Sequence, residues 1–397
     1  MFSLSKTLAT LALLTAGAAA LSAQPLDRRH LNLGVQGQYS HVLNGQEIYE
    51  RLLESYNYGI YSATLGVSTH PDDGDWYAYA LNYPSYGFGF TFADMGSLSC
   101  KNNSHLGDVL DMYGWTEFSL IRTRSFRFGP TLEFGLSYTA AIYDGYSNLA
   151  NRYFGSQLFV MLSAGLQAEW LFTPQWGILA GVYLIHHSNG MLQTPNIGIN
   201  ELSAGVGLRY YFAPTRFDAR PAAAPEKPEF RKGLRWSVFA SAGMHSCPVE
   251  FDWIYESDDP AHLAPPHFCA AAGVELAWHY SPIFATGIGL EANYSANNYR
   301  DVDLMIEGRE DPRGYSPWRV GVYLSQEFRY RQLSVHLQIG AYLFKRCGLT
   351  EDIGTSLQKV GLRYHFRRTR GMYLGLDMRA HQFDRSYALE WSLGFDL

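Results

Sequence analysis

Trp176-Gly177-Ile178-Leu179-Ala180-Gly181-Val182-Tyr183-Leu184-Ile185-His186-His187-Ser188-Asn189 decides how the rest of the chain is read. Its even-numbered positions, Trp176, Ile178, Ala180, Val182 and Leu184, form an apolar series that runs on into His186 and Ser188. In a strand, side chains two apart emerge on the same side. A polar pair that continues a greasy stripe is poorly placed for packing and well placed to meet a lipid, provided the stripe faces a bilayer.

Composition supports that setting. Aromatic residues make up 15% of the 397, Gly contributes 38, and charged residues account for only 17%. Beyond residue 24 no apolar run is long enough for a spanning helix. Low charge with abundant Tyr and Gly suits a transmembrane β-barrel, in which only alternate residues meet lipid. The net charge of -6 offers no broad basic field, so nucleic acid is not an expected partner. Residues 1–23 read as a signal peptide: Lys6 precedes the apolar run Leu8 to Leu21, and small residues follow. Export to the bacterial outer membrane as a multi-pass protein is therefore expected.

Period-2 alternation recurs along the chain. Leu31, Leu33, Val35 and Tyr39 alternate with Asn32, Gln36, Gln38 and Ser40; Leu158, Val160, Leu162, Leu166 and Trp170 alternate with Ser163, Gln167 and Glu169. At the C-terminus Tyr387, Leu389, Trp391, Leu393, Phe395 and Leu397 alternate with Glu390, Ser392 and Asp396. A lumen can hydrate those carboxylates, whereas hydrocarbon cannot. About sixteen such segments are expected, with a third strand over 76–93, and long connections alternate with tight turns as in outer-membrane barrels.

Residues 213–233, with Arg220-Pro221-Ala222-Ala223-Ala224-Pro225, have linker composition and are expected to be extended, exposed and periplasmic. They separate a first eight-strand repeat, residues 24–212, from a second, degenerate one, residues 234–397. Gly177-Ile178-Leu179-Ala180-Gly181-Val182 matches Gly371-Met372-Tyr373-Leu374-Gly375-Leu376, which places Ala380 opposite His186 and Gln382 opposite Ser188. The expected fold is an all-β antiparallel barrel of about 16 strands, because one closed sheet removes every edge. Two tandem eight-stranded barrels are the alternative. Of the four cysteines, Cys247 and Cys269 flank one long loop and are expected to staple it by a disulfide; the spacings make metal binding a weaker reading.

His186-His187-Ser188-Asn189-Gly190, followed by Pro195-Asn196-Ile197-Gly198-Ile199-Asn200, resembles the lipid A 3-O-deacylase family of outer-membrane barrels, also described as acyloxyacyl hydrolases. The likeness covers about residues 30 to 212. Tyr83-Pro84-Ser85-Tyr86-Gly87-Phe88-Gly89 is similar to the longer members. The resemblance implies a serine esterase that hydrolyses an acyl ester of lipid A without a cofactor. Ser188 matches the nucleophile and His186 the general base, while Asn189, Gly190 and Met191 match the oxyanion-stabilising region. The family's acid, a Glu in its enzymatically studied branch, falls on Asn200 here.

The residues support part of this independently. A serine hydroxyl needs a base to take its proton, imidazole titrates in the useful range, and amide groups suit the resulting oxyanion. Parity along Leu202, Ala204, Val206 and Leu208 places Asn200 on the face of His186 and turns Glu201 to the lumen, so Asn200 is preferred as the residue that orients the imidazole. Glu201 is held in reserve, should a β-bulge turn it outward. The contrasting function is a non-enzymatic porin or an adhesin-like structural barrel, which needs neither His186 nor Ser188. The oligomeric state is left open.

Overall fold

The computed structural model describes residues 30–43, 52–247, 250–251, 264–297, 315–347, 354–369, 371–381 and 385–397. The expected signal peptide, residues 1–23, lies outside them, as does Gln382. Among the described residues, seventeen strands account for nearly all regular structure. In the first half they are β1 (Leu31–Val42), β2 (Asn57–Ser68), β3 (Ser85–Ala93), β4 (Val109–Glu117), β5 (Ile121–Arg122), β6 (Phe126–Thr139), β7 (Leu158–Leu171), β8 (Trp176–Ser188) and β9 (Ile199–Tyr211). In the second they are β10 (Gly233–Ser246), β11 (Pro266–His279), β12 (Phe284–Ser295), β13 (Trp318–Tyr330), β14 (Leu333–Phe344), β15 (Ser356–His365), β16 (Met372–His381) and β17 (Arg385–Asp396).

The strands close into two barrels, not one. In the first half β1 pairs with β9, and β4 pairs with β6, leaving the two-residue β5 as a side pairing on β6. In the second half β10 pairs with both β11 and β17. The preference for a single large barrel is thus overturned in favour of the tandem alternative. Once β9 has β8 on one side and β1 on the other, it has no edge left to offer β10, so two small closures remove edges as completely as one large one.

Eight strands enclose a lumen that side chains can fill. Arg127 and Arg209 both meet Glu117 and Glu169 in the first, with nitrogen–oxygen distances of 2.6 to 3.1 Å. Glu291, Lys359, Arg379 and Glu390 interlock in the second. All are buried. Removing one partner of such a set strands the others, so Glu169→Ala is expected to cost about 3–5 kcal/mol of barrel stability. A lower temperature for the heat-induced mobility shift of the folded protein on gels is the corresponding readout.

The outer faces are apolar at alternate positions: on β8, Trp176, Ile178, Val182 and Leu184 are exposed while Leu179, Tyr183 and Ile185 are buried. This is the pattern expected of a wall in contact with lipid.

Three expectations need correction. Residues 76–80, expected to begin the third strand, form a short helix, α1 (Trp76–Ala80), because the Asp75 carboxylate caps it by accepting the Tyr77 N–H at 3.0 Å. The first part of the linker is docked: Phe217 is buried against Leu171 and Tyr211, with the Arg127 guanidinium 4.8 Å over its ring. Ala222–Ala224 are exposed.

The third concerns cysteine. No disulfide joins the four cysteines, all of which are buried. Cys269 lies within β11 opposite Gly243, four residues before Cys247 along the neighbouring chain. At about 3.3 Å per residue that separates the two by roughly 13 Å, beyond the ~7 Å that a disulfide spans. Cys269 packs instead in a cluster with Cys347, Tyr387 and Ala388.

The barrels stand side by side. At the end carrying the tight turns, Asp75 receives the Tyr330 hydroxyl at 3.1 Å and pairs with Arg331 at 2.9 Å. At the end carrying the long loops, Thr194 bridges to Ala264, and the rings of Tyr143 and Phe251 meet edge to face.

Candidate active site

The β8–β9 register sets His186 directly opposite Asn200. Both occupy the outward face at the loop end of barrel one, in line with Val182 and Leu184 on one strand and Leu202 on the other. The imidazole Nδ1 lies 2.7 Å from Asn200 Oδ1. An amide oxygen only accepts, so Nδ1 carries the proton and Nε2 keeps its lone pair. One residue further along each strand the pattern inverts. His187 and Glu201 point into the lumen, where His187 bridges Glu201 Oε1 at 3.0 Å and Asp111 Oδ1 at 3.2 Å. No bulge interrupts the β8–β9 ladder, and Glu201 stays buried away from His186.

Ser188 ends β8 and is buried beneath the 189–198 loop. Its hydroxyl accepts the Gly190 N–H at 3.1 Å and an Asn196 side-chain N–H at 2.9 Å. It therefore faces amide donors and not the imidazole, although His186 and Ser188 stand two apart on one strand. The two side chains nonetheless border one space: a Cβ on Gly198 would sit 3.3 Å from His186 Cε1 and 3.4 Å from Ser188 Cβ. Gly198 also has φ +69, a conformation that side chains disfavour. Gly198→Ala is expected to lower any turnover about tenfold, from ~1–2 kcal/mol of backbone strain and from crowding of this space. Steady-state kinetics on purified protein with unchanged heat-modifiability would register it.

The three residues expected around the oxyanion separate in role. Asn189 spends its side-chain N–H groups on Ser156 Oγ at 3.1 Å and the Gln193 carbonyl at 2.7 Å, so its amide braces the loop and does not face the hydroxyl. Gly190 and Met191 follow with φ of +63 each, a pair of left-handed residues that turns the chain sharply. That turn brings the Gly190 N–H to Ser188. Sequence reasoning missed Asn196, which holds Ser188 through its N–H and accepts the Asn189 backbone N–H at 3.1 Å through Oδ1. Its place in the Pro195-Asn196-Ile197-Gly198 segment was the available signal. Among the described residues no cluster of His, Cys, Asp and Glu is arranged to hold a metal ion.

The fold defines an all-β protein of two closed antiparallel barrels, with His186, Asn200 and Ser188 gathered at the loop end of the first. The chain belongs to the lipid A 3-O-deacylase (PagL) family: the model of that family matches residues 79–209, and that of the acyloxyacyl hydrolase C-terminal domain matches residues 234–397, together well over half the chain. This membership supports an outer-membrane location and hydrolase class. No curated protein matches the chain. Among solved structures, Neisserial surface protein A is similar at 8% identity and a TM-score of 0.28, covering 46% of this chain and 96% of its own. A bacterial polysaccharide outer membrane secretin gives 12% identity and 0.22, covering 94% and 99%. A triple mutant of the Rhodopseudomonas blastica porin gives 8% and 0.16, covering 92% and 99%. At such TM-scores the assignment rests on the family match.

Proposed function

We propose that the protein is an outer-membrane serine esterase that removes the 3-O-linked acyl chain of lipid A. The observation that carries this reading is the 2.7 Å pairing of His186 with Asn200 on the lipid-facing stripe, beside a serine that already sits among amide donors. Family membership supplies the substrate class.

In the reaction the Ser188 hydroxyl turns from Gly190 and Asn196 toward His186 Nε2, which takes its proton as Oγ attacks the ester carbonyl carbon. Negative charge collects on the carbonyl oxygen. The amides that the serine oxygen vacates, Gly190 N–H and Asn196 Nδ2, are placed to receive it, with Met191 N–H next along the turn. Collapse breaks the acyl C–O bond, and the imidazolium returns its proton to the glucosamine oxygen. Water, deprotonated by the same imidazole, then releases the acyl group from Ser188. Asn200 holds Nδ1 throughout and stabilises the imidazolium without placing a full charge beside hydrocarbon. No cofactor is required.

A pore is the contrasting reading. It finds no support in lumens occupied by the buried ion-pair sets Arg127, Arg209, Glu117, Glu169 and Glu291, Lys359, Arg379, Glu390. Planar-bilayer conductance run beside ester hydrolysis of purified lipopolysaccharide separates the two. The expected result is free 3-hydroxy fatty acid with no stepwise channel currents; discrete currents without hydrolysis would reverse the assignment.

A further inference from the structure

The site is not built by barrel one alone. Ser246, at the end of β10 in barrel two, donates both its backbone N–H, at 2.5 Å, and its hydroxyl, at 3.0 Å, to the carbonyl of Met191. Met191 is the second of the two left-handed residues that present the Gly190 N–H to Ser188. A Cβ on Gly190 would lie 3.5 Å from Leu389 Cβ on β17, so the same turn is also backed by barrel two. Ser386 Oγ stands 3.4 Å from Ser188 Oγ.

The way β17 reaches this position is specific. The β16–β17 register slips so that Arg379 faces Ala388 while Ala380 faces Ser386, leaving Tyr387 as an extra residue. Alternation from Leu389 and Trp391 predicts an outward Tyr387. The bulge turns it inward, where its hydroxyl meets His245 Nε2 at 3.2 Å and Ser295 Oγ at 3.0 Å, and Ser386 is delivered to barrel one.

We propose that the rim of barrel two completes the active site, with Ser246 and Ser386 as positioning residues that hold the Gly190–Met191 turn and the Ser188 hydroxyl for hydrolysis in barrel one. This rests on Ser188 being the nucleophile. The second repeat, which lacks the histidine and serine at the matching positions Ala380 and Gln382, then has a function that accounts for its sitting against the first.

The test uses the full chain and two readouts: kcat and KM on lipopolysaccharide, and the rate at which a fluorophosphonate reagent labels Ser188. The double variant Ser246→Ala/Ser386→Ala is expected to lower kcat and the labelling rate by about tenfold with KM little changed, the size of a lost contact that orients a reacting group. Ser386→Thr, which keeps a hydroxyl, should recover the Ser386 share. Asp75→Asn weakens the barrel contact at the opposite end, preserves the helix cap, and should leave both readouts at wild type. Wild-type kcat and labelling in the double variant would overturn the inference and leave the Ser188 reading standing. An equal loss in Asp75→Asn would overturn it too, by showing that general docking matters and the local clamp does not. Absence of Ser188 labelling in the wild type would remove the underlying reading and the inference with it.

Discussion

Ser188→Ala and His186→Ala are each expected to lower deacylation at least about a thousandfold while both barrels still fold and insert. In the proposed reaction the two groups act in one step, transfer of the hydroxyl proton to Nε2 during attack, so the double variant should be scarcely slower than either single one. The fold tolerates both changes for a local reason. Ser188 lies at the strand's end, and His186 faces outward, so neither side chain supports the ion-pair networks that fill the lumens. Release of 3-hydroxy fatty acid from purified lipopolysaccharide measures the loss, and heat-modifiability confirms the fold. Near wild-type release from either variant would remove that residue from the chemistry.

The second large effect separates two adjacent residues. Asn200→Ala is expected to reduce turnover on the order of 10–100-fold, because the imidazole loses the acceptor that sets its tautomer and steadies its charged form. Glu201→Gln should leave turnover within about twofold, since Glu201 meets His187 in the lumen and not His186. Asn200→Glu places a carboxylate where Nδ1–H already points and is expected to raise turnover. Steady-state rates for the three variants decide the matter. Loss of activity in Glu201→Gln with Asn200→Ala near wild type would assign the orienting role to the lumen chain instead.

The strands were legible in the sequence because a barrel wall has two chemically opposed faces and a strand repeats every second residue. The same parity put His186 and Asn200 on one face and Glu201 on the other, as the 2.7 Å and 3.0 Å contacts bear out. What alternation does not encode is which strands meet. Closure of β1 on β9, and hence two barrels in place of one, depends on pairing between residues far apart in sequence, for which composition carries no sign. Register hides in the same way. Cys247 and Cys269 bracket a loop in sequence, yet the β10–β11 ladder sets them four residues apart along the strands.

Local polarity misled in two further places. The aromatic Trp76–Ala80 segment reads as strand until Asp75 is recognised as a helix cap, and Asn189 reads as an oxyanion donor until its N–H groups are found on Ser156 and Gln193. The contact of Ser246 with Met191 joins two barrels across 55 residues of sequence and had no local signal at all.

That Ser188 cleaves an acyl ester of lipid A is tested most directly by mass spectra of lipid A from cells that produce either the wild-type chain or the Ser188→Ala variant at equal levels in the outer membrane. A lipid A species lighter by one 3-hydroxyacyl group is expected with the wild type, and its absence with the variant. Identical spectra from the two, whether deacylated in both or in neither, would contradict it.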